Sequence, residues 1–148
     1  MSSNFRDLVV WQAAMDLADA IYDATEFFPK DELFGLRSQL RRAAVSIPSN
    51  IAEGQSRNTI GEFRHFLGNA KGSLSEVETQ LELARRRKYI EFDKLKDLLA
   101  SCDRVARLLA GLVQTLDKDL EHGRTLNRPR TTNHQSPTTN SKSAKAGK

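Results

Sequence analysis

The stretch "SIPSNIAEGQSR", Ser46 to Arg57, decides how this chain is read. Apolar residues lead into it and through it at Leu36, Leu40, Ala43, Ala44, Ile47 and Ile51. That spacing is one face of an α-helix. Pro48 interrupts it, and Gly54 follows. A proline inside a helix lacks its own N–H and crowds the carbonyl four residues back, here Ala44, at a cost of about 3 kcal/mol or more. The stretch could be a helix break, a glycine loop around a phosphate, or one bent helix. Phase separates them. Ile47, Ile51 and Ala52 stay in register with Leu36 and Leu40, and a break at Pro48 would strand Ile51 in a loop. One helix is expected, kinked at Pro48 and ending near Gly54. The Gly54 region has no P-loop spacing, and no dinucleotide fingerprint occurs anywhere in the chain.

Outward from this helix, three more are expected and no strand, because period-two alternation is absent. Helix 1 covers 5–27 and stops before Pro29, and helix 2 starts near Asp31 or Glu32. Ser56, Arg57 and Asn58 form a turn into helix 3, which opens with Thr59 as N-cap and Glu62 at N3, the pattern of a capping box, and runs to Tyr89. Helix 4 begins around Asp93 and reaches Glu121, with Gly123 as its stop signal. Short connections make sequential helices antiparallel neighbours. The expected fold is therefore all-α, an antiparallel up-down-up-down four-helix bundle.

Its core can be named from the wheel. Helix 1 presents Val10, Ala14, Leu17, Ile21 and Phe28; helix 3 presents Phe63, Phe66, Leu67, Ala70, Leu74, Val77, Leu81 and Ala84. On helix 4, Leu95, Cys102, Leu109 and Leu116 recur seven apart, joined by Leu98, Val105 and Leu112 and backed by Leu99, Ala106, Val113 and Leu120. Helix 1 has more apolar surface than one core needs. A second stripe of Leu8, Trp11, Met15, Ala18 and Tyr22 lies roughly 120° from the first. A wide core contact or a subunit interface would explain it, and the large aromatics favour the interface. Leu83 and Leu108 also point away from their cores. Gly68, Gly72 and Ser75 recur on the non-core side of helix 3, where helical glycine costs up to about 1 kcal/mol unless another helix comes close.

The net charge of +4 is a property of the C-terminal stretch. Residues 123–148 hold Arg124, Arg128, Arg130, Lys142, Lys145 and Lys148 and no acid. All 19 acids lie upstream, against the remaining 17 of the 23 basic residues. The chain thus divides into a bundle at 1–122 and a basic tail at 123–148, rich in Thr, Asn, Ser and Lys, expected to be disordered. The single cysteine excludes an internal disulfide framework and fits a reducing compartment. With no signal-peptide pattern and no apolar run of membrane-spanning length, a cytoplasmic protein without membrane contact is expected.

No catalytic constellation emerges. Glu62-x-x-His65, with a looser copy at Asp119-x-x-His122, resembles half of a di-iron site, and antiparallel topology would bring Asp7 and Glu53 to the same end. His65, however, points away from the core, and Glu62 has a capping role. Cys102 is a core filler rather than a nucleophile. No enzyme, metal or cofactor is expected. The remaining signal is basic. Arg37, Arg41 and Arg42 on helix 2 meet Arg85, Arg86, Arg87 and Lys88 of helix 3 at one end of an antiparallel bundle, joined by Lys30, Lys94 and Lys96. The acids Asp31, Glu32, Glu91, Asp93 and Asp97 share that end and could neutralise it. The helix dipole is a second use for Arg85 to Lys88.

Three segments carry a family resemblance: "LRSQLRRAAVSIPSNIAEGQSR" from Leu36, "EFRHFLGNAKGSLSEVETQLELA" from Glu62, and "FRDLVVWQAAMDLADAIY" from Phe5. The chain resembles, over roughly 5–120, the four-helix-bundle proteins encoded in intervening sequences of bacterial 23S rRNA genes. The resemblance implies a homopentameric, barrel-like ring. It also implies kinship with accessory proteins of diversity-generating retroelements, which bind nucleic acid and a reverse transcriptase through basic surface. No catalytic residues come with the family, and the slightly acidic bundle departs from the retroelement relatives. Two functions follow as expectations. One is a homo-oligomer that binds RNA or another nucleic acid, or a nucleic-acid-processing partner, through Arg37, Arg41, Arg42 and Arg85 to Lys88. The other is a protein-interaction scaffold working through helix 1 and the small-residue face of helix 3.

Overall fold

The structure, a computed structural model, describes residues 4–126. The expected tail lies outside the described residues except for its first positions. Four helices are present: α1 Val9–Thr25, α2 Leu36–Gln55, α3 Ile60–Arg86 and α4 Phe92–Leu126. No strand occurs among the described residues. Each helix packs on the next, and α4 returns to α1; the diagonal pairs α1–α3 and α2–α4 make no close backbone approach. This is the expected up-down-up-down bundle.

The element ends differ from the expected ones for identifiable reasons. Asn4 caps a separate 3-10 turn at Phe5–Asp7, its Oδ1 accepting from Arg6 N at 3.0 Å. Leu8 is extended, so α1 starts only at Val9. The chain then makes a second 3-10 turn, Lys30–Glu32, before α2. The Glu32 carboxylate accepts from Leu36 N at 2.7 Å and so caps α2 four residues later than the sequence pattern proposed. At the other extreme, α4 passes straight through Gly123 to Leu126. No glycine among the described residues adopts positive φ, so Gly123 supplies no left-handed stop.

Pro48 lies inside α2, buried, and the helix continues past it to Gln55. Next to the proline, Asn50 Nδ2 donates to Ser46 O at 2.8 Å and to Ser46 Oγ at 3.0 Å. Ser46 Oγ in turn meets Ser73 Oγ of α3 at 2.8 Å. These polar contacts hold the turn that the proline weakens. Gly54 lies tight against α3: a Cβ there would sit 2.8 Å from Phe66 Cβ and 2.9 Å from Phe63 Cδ1. Thr59 caps α3 as expected, Oγ1 accepting from Glu62 N at 3.1 Å.

The core is largely the one read from the wheel, except that Phe66 and Leu120 stay only half-buried at its margin. Leu17, Ile21, Leu40, Ile47, Ile51, Leu67, Val77, Leu81, Leu98, Cys102 and Val105 are fully enclosed. Each such aliphatic side chain contributes roughly 1.5–3 kcal/mol by leaving water. Leu83 is exposed as expected, but Leu108 is not. It packs against the core, because α4 contacts both α1 and α3 and so buries a wider stripe than a single seam.

Candidate functional site

The connection between α1 and α2 and the connection between α3 and α4 lie together at one end of the bundle. Phe28 is buried against Tyr89, ring centroids 5.4 Å apart, and Tyr89 Oη donates to Glu32 Oε1 at 3.3 Å. This connection end brings the start of α2 beside the finish of α3, as the two basic runs require.

Helix α3 ends in a Schellman turn. Tyr89 N donates to Ala84 O at 2.8 Å and Lys88 N to Arg85 O at 2.9 Å. Lys88 occupies the left-handed position with φ 64°. That position normally takes glycine, and a side chain there costs roughly 1–2 kcal/mol. Arg86, Arg87 and Lys88 are exposed, and Arg85 is half-buried.

The three arginines of α2 have different fates. Arg41 is anchored: Nε donates to Thr25 Oγ1 at 2.8 Å and Nη2 to Tyr22 O at 3.1 Å, while the guanidinium stacks 4.4 Å from the Tyr22 ring centroid. It also pairs with Glu26 at 3.5 Å. Arg41 therefore closes the C-terminus of α1, where a cation suits the helix dipole. Thr25, fully buried, donates its own hydroxyl hydrogen bond to Ile21 O at 2.8 Å. Arg37 and Arg42 make no such bonds; together with Arg41, Ser38, Leu33 and Tyr22 they line an open cleft of about 320 Å³. Among the described residues the ion pairs are Arg41–Glu26, Arg57–Glu53, Arg64–Asp117 and Arg107–Asp103. None involves Arg37, Arg42, Arg85, Arg86, Arg87 or Lys88. The nearby acids leave these six cations unpaired, and Glu32 is already occupied as a cap.

The wheel missed the phenylalanines of this end. Phe27 is 94% exposed and Phe34 91%, and Phe92 is also exposed, with Lys96 Nζ 5.8 Å from its ring centroid. Phe27 and Phe34 fell inside expected helices; in fact both flank the 3-10 turn. The available signal was the aromatic content of "EFFPKDELFGL", out of phase with either core stripe.

The second stripe of α1 divides. Ala18 is buried, and Leu8 and Trp11 pack partly on the core, while Met15 and Tyr22 are exposed. Trp11, Met15, Ala18 and Tyr22 form one wall of an open groove of about 570 Å³, whose other wall on α2 includes Val45, Pro48 and Ala52. Asp16 and Asp19 rim it. On the α3–α4 side a smaller, more enclosed groove of about 340 Å³ has an apolar floor at Leu67, Leu109 and Val113 beneath Arg64 and Lys71. A Cβ at Gly68 or Gly72 would meet nothing, so no helix of the same chain explains those glycines.

His65 is exposed, its ring edge-on to Phe66, and Glu62 lies at the start of α3. No group of three or more metal-ligating side chains occurs among the described residues. Burial, with the charge of Glu78, pushes the Cys102 thiol up to about 12. No helix among the described residues is long and apolar enough to cross a membrane.

A comparison with curated proteins returned no match. Among solved structures, the chain is similar to a protein of unknown function from the S23 ribosomal protein family of Bacteroides thetaiotaomicron, 24% identical, TM-score 0.66, over 71% of this chain and 98% of that one. That likeness is one of fold. The sequence profile of the 23S rRNA-intervening sequence proteins matches residues 6–111, nearly all of the bundle that the helices build. The chain belongs to the 23S rRNA-intervening sequence protein family.

Proposed function

We propose that this chain is a non-enzymatic, homo-oligomeric bundle of the cytoplasm that binds RNA through its connection end. The observation that carries the reading is the gathering there of six cations, Arg37, Arg42, Arg85, Arg86, Arg87 and Lys88, without ion partners. Two of their placements run against local stability. Arg37 sits in the first turn of α2, which holds no acid, at the positive pole of the helix dipole. Lys88 takes a backbone position where glycine would cost less. Local costs of this kind are offset when a ligand of opposite charge binds. Oligomerisation would repeat the basic end around a ring and concentrate its field.

Filter binding of a structured RNA at two salt concentrations tests the reading. Affinity should fall with salt, by a slope of about 0.7–0.9 per phosphate contact. Lys88→Gly should weaken binding while raising the unfolding midpoint, a combination that a purely structural role for Lys88 does not give. Affinity no greater than that of an unrelated protein of similar charge, or a flat salt response, overturns it.

The second reading, a protein-interaction scaffold, is favoured by the α1–α2 groove and its exposed Met15 and Tyr22. In that reading Arg85→Glu, Arg86→Glu and Arg87→Glu leave partner binding nearly intact; in the RNA reading they abolish RNA binding. The same groove is the proposed contact between copies, in a ring of five. Light scattering should then report a multiple of the 16.6 kDa chain, and Trp11→Glu should lower that mass.

A further inference from the structure

Phe27 and Phe34 are the most exposed large apolar side chains described, and both lie in the α1–α2 connection, at the end of the bundle that carries the unpaired cations. Phenylalanine has no polar atom, so its use at a charged surface is the face of its ring. Phosphates alone would be served by arginine and lysine, and a duplex hides its base faces in its own stack. Unpaired nucleotides offer both chemistries at once, phosphate for the cations and a π-face for the rings.

Resting on the RNA reading above, we infer that the connection end takes unpaired RNA, with bases stacking on Phe27 and Phe34 while Arg37, Arg42 and the α3 terminus hold the backbone. The cleft of about 320 Å³ lined by Arg37, Ser38, Arg41 and Arg42, with Leu33 and Tyr22 along its wall, opens at the same end and admits a phosphate. Phe92, at the start of α4, is a further exposed ring of this end, with Lys96 near it. A second copy is the less suitable occupant. Lys30, Lys94 and Lys96 join the six unpaired cations here and together outnumber the acids Asp31, Glu32, Glu91, Asp93 and Asp97, so two like ends would oppose net positive charge.

The test compares an oligouridylate of about 16 nucleotides with a blunt RNA duplex of about 16 base pairs, on the full chain. The wild type should prefer the single strand. Replacing both rings, Phe27→Ala with Phe34→Ala, should weaken single-strand binding roughly five- to hundredfold per base unstacked. Duplex binding, salt slope and mass by light scattering should stay as they were. Phe27→Tyr with Phe34→Tyr should restore binding, since the ring face returns. Both rings are almost fully exposed, so these variants should fold as the wild type does. Equal losses on both probes, or no loss on either, overturn the inference and leave the RNA reading standing. A fall in mass instead of affinity assigns the rings to self-association and overturns it also. Binding of neither probe by the wild type removes the RNA reading and the inference together.

Discussion

A methyl group added at Gly54 would meet Phe66 Cβ at 2.8 Å and the Phe63 carbonyl at 3.2 Å, atoms that cannot rotate aside. Gly54→Ala should therefore destabilise the bundle by about 1–3 kcal/mol, even though alanine is the better helix former. Gly72→Ala should do the reverse, gaining about 0.5–1 kcal/mol, because its Cβ would enter open space. Urea midpoints of the two variants check both signs. If Gly54→Ala is neutral, the α2–α3 corner is looser than the contacts imply. From sequence, Gly54 had been legible as a stop and Gly68 and Gly72 as a site of close approach. Helix α2 does end beside Gly54, at Gln55, and Gly54 is also the glycine under contact; Gly68 and Gly72 face outward, so of the two expected uses only a contact with another chain remains for them. Periodicity assigns a residue to a face but does not say how near the neighbouring helix comes.

Among the elements, α1 and α2 are joined by one side chain more than by any other polar contact. Arg41 spends its guanidinium on Thr25, Tyr22 and Glu26, mostly sheltered from water. Arg41→Ala should cost about 1.5–3 kcal/mol, the range for hydrogen bonds to a charged group. Arg41→Lys should recover little of it, since one ammonium does not reproduce the two-pronged bond. Arg42→Ala, one position on and unpaired, should stay within about 0.5 kcal/mol of wild type. Chemical denaturation of the three variants separates an anchoring arginine from a surface one. In the sequence the two are adjacent arginines with no distinguishing mark. Helices α1 to α4 were legible because their apolar stripes repeat over several turns. Their ends were less so, being set by particular side chains such as Glu32 capping Leu36. The connection end was legible as a basic cluster, since "RR" and "RRRK" are runs. Its phenylalanines were hidden, because exposure depends on the 3-10 turn that lifts the chain out of helical phase.

For the molecule as a whole, the closed ring of four helices leaves Cys102, in the first third of α4, with no exposed surface. Its thiol is raised by burial, and by the charge of Glu78, from 9.0 to about 12. Below pH 9 both folded and unfolded chains keep the proton, and the thiol's contribution is fully present. Above it the unfolded chain loses the proton first, so stability falls, by at most about 1.4 kcal/mol per pH unit, until the folded thiol also ionises. Cys102→Ala should flatten that decline between pH 9 and the upper value when urea midpoints are compared. Identical slopes in the two proteins would show that the thiol is as free to ionise in the fold as out of it. The same burial has a practical corollary. The chain carries one cysteine, and maleimide reagents cannot reach it in the native state. A cysteine introduced at Gly72 or Phe34 is thus the sole reactive thiol without any cysteine-free background being built. Paired spin labels or fluorophores at those two positions could then measure distances between copies directly, on the protein with its own core unaltered.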